Sequence, residues 1–157
     1  MAMQIRRAER RKAKLRLALI GPTGSGKTKS ALRMAFGLGS RIGMVDTENG
    51  SGDLYATDGE YDIITLDAPY TVEKYREAIR TFEAAKYDVI IIDSLSHAWA
   101  GDGGLIAKSG QLEKSGRAKN SFAAWRELTP EHNSLVEEML NSPCHIIATM
   151  RVKTEYV

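Results

Sequence analysis

Cysteine is nearly absent from this sequence: Cys144 stands alone among 157 residues. An internal disulfide is thereby excluded, and so is a cysteine-based metal site. Cys144 opens an apolar run, which suits a small buried core residue in a reducing, cytoplasmic setting. Long apolar runs are missing too, none approaching the roughly 20 residues of a membrane span, so no membrane partner is expected. The N-terminus is basic with no apolar stretch behind it, which does not fit a secretory signal. Three histidines, His97, His132 and His145, lack metal-ligand spacing and read as surface or helix-end residues. Internal repeats are absent as well.

What is present suits one domain with a real core, with 43% hydrophobic and 27% charged residues. The net charge of +2 is unevenly placed, since the first 16 residues carry +6 and the remainder −4. Arg6, Arg7, Arg10, Arg11, Lys12, Lys14 and Arg16 are opposed there only by Glu9. Residues 1–14 therefore read as a basic arm, and residues 15–157 as the core. Such an arm suits a polyanion or an acidic neighbouring subunit; a solvated helix or leader is the plain alternative.

The most specific pattern is Gly21-Pro22-Thr23-Gly24-Ser25-Gly26-Lys27-Thr28, which fits G-x-x-x-x-G-K-[ST] at every fixed position. Glycines let the backbone fold into a nest of N–H groups around an anion. Lys27 reaches toward β- and γ-phosphates, and the Thr28 hydroxyl is a Mg²⁺ ligand in this pattern. A helix starting there adds the positive end of its dipole. Leu15 to Ile20 is an apolar run of strand length, and Lys27 to Leu38 places Ala31, Met34, Ala35 and Leu38 at helical spacing.

Further along, strands are expected over Arg41–Asp46, Tyr61–Leu66, Tyr87–Asp93 and Cys144–Thr149. Thr71 to Ala85 is an amphipathic helix with Val72, Tyr75, Ile79 and Phe82 on one face and Thr71 as N-cap. Residues 97–121, rich in Gly, Lys and Ser, read as a long loop, with Gly101 to Gly104 simply flexible. Ser121–Leu128 and Pro130–Leu140 read as two helices, with Thr129 capping the second. Trp125 reads as core. Alternating strands and helices imply a parallel α/β sheet with helices on both faces and ligands at the carboxyl ends of its strands. The chain stops soon after the last strand, which suggests a shortened core or an edge completed by another chain.

Asp93 ends the most apolar strand, where a phosphate-loop fold needs an acid beside its Mg²⁺. Hydrolysis also needs a group that orients water near the γ-phosphate. The position after Asp93 is Ser94, not an acid. Glu48, at the end of the second strand, is the candidate, while Asp46 caps that strand end.

These ordered elements resemble the RecA-like recombinase ATPases, particularly small phage-encoded members associated with single-strand annealing. The resemblance runs over about residues 15 to 153: Gly21–Thr28, Val45-Asp46-Thr47-Glu48, Val89–Ser94, then Ile146-Ile147-Ala148-Thr149-Met150-Arg151. It implies Glu48 as catalytic glutamate with Lys27, Tyr55 stacked on adenine, and Thr149 or Arg151 reading the γ-phosphate. It implies DNA-facing residues Trp99, Lys108, Lys114, Arg117 and Lys119, and a second DNA segment from Lys153; for Trp99, packing within the protein is the alternative. Three departures stand out. Several further family strands are missing, the separate N-terminal domain is reduced to the arm, and Met150-Arg151 replaces an Asn-Gln-like signature.

The implied function is an ATP- and Mg²⁺-using, DNA-stimulated ATPase in recombination or annealing. Single-stranded DNA, further copies in a filament or ring, and a single-strand-binding or annealing protein are the implied partners, in the host cytoplasm if phage-encoded. A nucleotide-gated binder or scaffold with negligible turnover is the alternative, and a small-molecule kinase a third.

Overall fold

In the computed structural model, which describes residues 2–10 and 12–152, five strands form one wholly parallel sheet. In chain order they are β1 (Arg16–Gly21), β2 (Ile42–Asp46), β3 (Asp62–Thr65), β4 (Val89–Asp93) and β5 (His145–Arg151). Their spatial order is β1-β5-β4-β2-β3, so the last strand in sequence lies between the first and the fourth. The helices are α1 (Lys27–Leu38), α2 (Val72–Ala84), α3 (His97–Ala100), α4 (Leu105–Lys114) and α5 (Ser121–Leu140). A single 3-10 turn spans Ser51–Tyr55.

β4 is buried at every position, as its unbroken apolar run requires of a strand covered on both faces. Because successive side chains alternate, Val89 and Ile91 join Met44, Ile147 and the α1 residues Ala31, Leu32 and Ala35 on one face. Ile90 and Ile92 join Val45, Ile146 and the buried faces of α2, α4 and α5 on the other. The α1 stripe is rotated from the expected one: Leu32 enters the core, while Met34 and Leu38 reach solvent. On α2 the expected face is the observed one, and Thr71 caps it by accepting the Lys74 N–H at 3.2 Å.

Two expectations about 97–140 are corrected. Half of the supposed loop is helical, as α3 and α4, and its glycine cluster is packed rather than loose. Gly103 has φ +74°, and a Cβ there would lie 2.3 Å from Pro69 Cβ. The supposed pair of helices is one 20-residue helix that runs through Pro130 and is capped by Asn120, not Thr129. Proline removes one helical N–H. Just before it, the Thr129 hydroxyl donates back to the Trp125 carbonyl at 2.6 Å. Burial of Ala124, Leu128 and Leu135 on both sides of Pro130 holds the helix together.

Arg16 fastens the far end of α5, donating to the carbonyls of Leu140 at 3.3 Å, Cys144 at 2.5 Å and Ser142. Cys144 is buried as expected, its thiol donating to the Tyr87 carbonyl at 3.0 Å, and burial pushes that thiol up from its ordinary pKa. Residues 2–10 and 12–14 form no helix or strand and are exposed. No helix among the described residues is long and apolar enough to cross a membrane.

Candidate nucleotide site

The ends of four parallel strands converge on one cleft of about 250 Å³. Register sets which residues meet there: Gly21 pairs with Arg151 across β1 and β5, and Asp46 with Asp93 across β2 and β4. Thr23, Gly24, Gly26, Lys27 and Thr28 line the cleft from the glycine loop, and Glu48, Ser51, Tyr55, Asp93, Ser94 and Arg151 line the rest. Gly24 (φ +81°) and Gly26 (φ +87°) hold left-handed backbone, which a side chain would resist, and Gly26 opens directly into α1.

Lys27 Nζ donates to the carbonyls of Gly21 at 2.7 Å and Pro22 at 2.8 Å, folded over the nest it would share with phosphates. The Thr28 hydroxyl donates to Asp93 Oδ2 at 2.7 Å across the cleft. Asp93 Oδ1 accepts from the Thr149 hydroxyl at 2.7 Å. Thr149 is fully buried and outside the cleft lining, so of the two suggested phosphate-reading positions only Arg151 faces the cleft. Thr149 instead fixes the Asp93 carboxylate.

Glu48 Oε2 is paired with the Arg151 guanidinium. Asp46 is fully buried and acts as a cap, its two oxygens accepting the Glu48 N–H at 2.8 Å and the Gly52 N–H at 3.1 Å. That cap starts the turn carrying Tyr55 to the cleft. Behind Glu48 stand residues that the motifs did not single out. Thr47 Oγ1 accepts the Ser94 N–H at 2.9 Å and lies 2.8 Å from His97 Nδ1. His97 stands at a helix end, as the first residue of α3, but it also stacks on Tyr70. Tyr75 donates to the Ser94 carbonyl at 2.7 Å, and burial raises its pKa. A polar Thr47 at the end of a buried strand was the available signal.

A family model described as an AAA domain matches residues 13–157. The chain belongs to the AAA domain family. No curated protein matches it. Membership makes this AAA domain a P-loop NTPase of α/β fold, in a family of nucleotide-binding ATPases.

The donor set of this AAA domain also suits Mg²⁺. A hydroxyl and a carboxylate oxygen meet at the cleft, and Mg²⁺ is typically held by one or two carboxylates plus substrate phosphates rather than by a protein cage. Among the described residues no cluster of three His, Cys, Asp or Glu is placed to hold a metal. Thr28 and Asp93 would hold the ion, which neutralises phosphate charge when bound.

The residues suggested to face DNA are not gathered in the same way. Trp99 stacks on Trp125 with centroids 5.7 Å apart and meets His132 at 4.4 Å. Lys108 pairs with Glu131 at 2.5 Å and Arg117 with Glu127 at 3.1 Å. These cations border an open groove between α4 and α5 that is separate from the nucleotide cleft. Lys114 and Lys119 are exposed, and Lys153 lies outside the described residues.

Proposed function

We propose that this AAA domain is a RecA-like ATPase that binds ATP with Mg²⁺ and couples its hydrolysis to single-stranded DNA in recombination or annealing. The carrying observation is the convergence of Lys27, Thr28, Asp93, Glu48 and Arg151 on one cleft from four strand ends. In this reading Lys27 and the glycine-loop N–H groups hold the phosphates, Tyr55 packs on the base, and Arg151 meets the γ-phosphate. Thr28 and Asp93 carry the ion, and Glu48 orients the attacking water. Residues 1–14 act as a basic arm on the 15–157 core.

DNA enters this reading through charge. Lys114, Lys119 and the arm are exposed, and phosphate contacts from such groups give affinity without sequence preference. Assembly into a filament or ring, and pairing with an annealing or single-strand-binding protein, complete the proposal.

A second reading, a nucleotide-gated binder with negligible turnover, is favoured by one contact. Arg151 occupies Glu48 Oε2, and Ser94 supplies no second carboxylate. ATP hydrolysis measured with and without single-stranded DNA separates the two readings. Stimulated turnover that falls by about 100-fold or more in both Lys27→Ala and Glu48→Gln is the expected result. Tight, Lys27-dependent ATP binding with no phosphate release would establish the gated binder instead.

A further inference from the structure

His97 joins three segments that meet behind Glu48. Its ring stacks on Tyr70 with centroids 4.6 Å apart, and its Nδ1 lies 2.8 Å from Thr47 Oγ1 and 4.0 Å from Glu48 Oε1. The Thr47 hydroxyl also faces the Ser94 carbonyl at 3.1 Å. A hydroxyl carries one proton, so Thr47 donates either to His97 Nδ1 or to Ser94, and in the second case Nδ1 is the donor. Both arrangements tie the ring to the residue directly before Glu48. The carboxylate is thus bracketed, with Oε1 toward His97 and Oε2 on Arg151.

The other side of the ring is equally anchored. The Tyr70 N–H donates to the Asp102 carbonyl at 2.6 Å, and Gly103 packs against Pro69. His97 therefore sits where the Glu48 strand end meets the segment running from α3 into α4.

We propose that His97 is a positioning residue for Glu48, holding the Thr47–Glu48 strand end so that the carboxylate faces the attacking water. This rests on the reading of Glu48 as the water-orienting group. A misplacement of about 1 Å costs on the order of 100-fold in rate, and His97 lines no part of the nucleotide cleft itself. The effect of losing His97 thus falls on kcat rather than on KM.

The test uses the full chain. His97→Phe keeps a ring over Tyr70 and removes the hydrogen bond, whereas His97→Asn keeps a polar atom near the Nδ1 position. ATP turnover with single-stranded DNA is measured alongside the affinity for a fluorescent ATP analogue, in both variants, in Glu48→Gln and in Glu48→Gln/His97→Phe. His97→Phe is expected to lower kcat about tenfold or more, with KM and nucleotide affinity within about twofold. His97→Asn should recover to within about threefold of wild type, and the double variant should be no slower than Glu48→Gln alone. Should His97→Phe fail to fold, His97→Gln, with its amide displaced from the Nδ1 position, takes its place with the same expectation.

Wild-type turnover in His97→Phe, an equal fall in affinity, or no recovery in His97→Asn overturns the proposal. If Glu48→Gln is inactive while His97→Phe is normal, only the role of His97 falls. If Glu48→Gln matches wild type, whether both turn over or neither does, the reading of Glu48 falls and the role of His97 with it.

Discussion

The carboxyl edge of the sheet and the α3–α5 flank both carry charged and aromatic residues, yet they gather them differently. At the sheet edge, side chains from four strand ends turn toward a shared cleft. There Lys27 rests on the Gly21 and Pro22 carbonyls and Arg151 on Glu48, while all three side chains still line open space. On the flank, Lys108 and Arg117 are spent on Glu131 and Glu127, and Trp99 on Trp125 and His132. The contrast teaches that residue type alone does not make a binding surface. A parallel sheet delivers its strand ends to one line whatever the helices do. A helix face, by contrast, takes its role from whichever helix packs against it.

The sharpest way to break this comparison is at Asp93, where Asp93→Ala should reduce ATP turnover by about 1,000-fold, in steady-state phosphate release. A small effect there would deny the cleft its special status. On the flank, Trp99→Ala should cost about 3 kcal/mol of stability, read from the denaturant midpoint. Loss of single-stranded DNA affinity at unchanged stability would instead move that ring onto a base.

Thr149→Val keeps shape but removes the proton donated to Asp93, and a fall in turnover of about tenfold is expected with nucleotide affinity preserved. If affinity drops as much as turnover, Thr149 acts on the nucleotide after all. The smallest effects belong to the lysines. Replacing both Lys114 and Lys119 by Ala should weaken single-stranded DNA binding by roughly three- to tenfold, with a shallower salt dependence. Lys108→Ala, already neutralised by Glu131, should change it by less than about twofold.

The parts legible from sequence were those governed by short-range rules. Strand, glycine loop and helix follow from local periodicity, so α1 begins and ends where expected, at Lys27 and Leu38. The α2 face and its Thr71 cap are likewise local. Glu48 and Asp93 reach the cleft because each lies at the end of a buried strand. Pro130 misled because a local stop signal was outweighed by packing along α5, a tertiary effect. Thr149 misled because only the register of β5 against β4 turns its hydroxyl to Asp93. His97 reads from sequence only as a surface or helix-end residue because its partners, Thr47 and Tyr70, lie 50 and 27 positions earlier in the chain.

The place of β5 between β1 and β4 has a consequence for how this domain comes into being. The glycine loop follows β1 and Asp93 ends β4, and these two strands touch only through β5. A ribosome releases β1 first and β5 last among the five. Until residues 145–151 emerge, the glycine-loop half and the Asp93 half of the cleft have no strand between them. Thr28 and Asp93 come within hydrogen-bonding reach only once that last strand slots in. The cleft in its present form therefore requires β5 in place, late in the synthesis of the five strands.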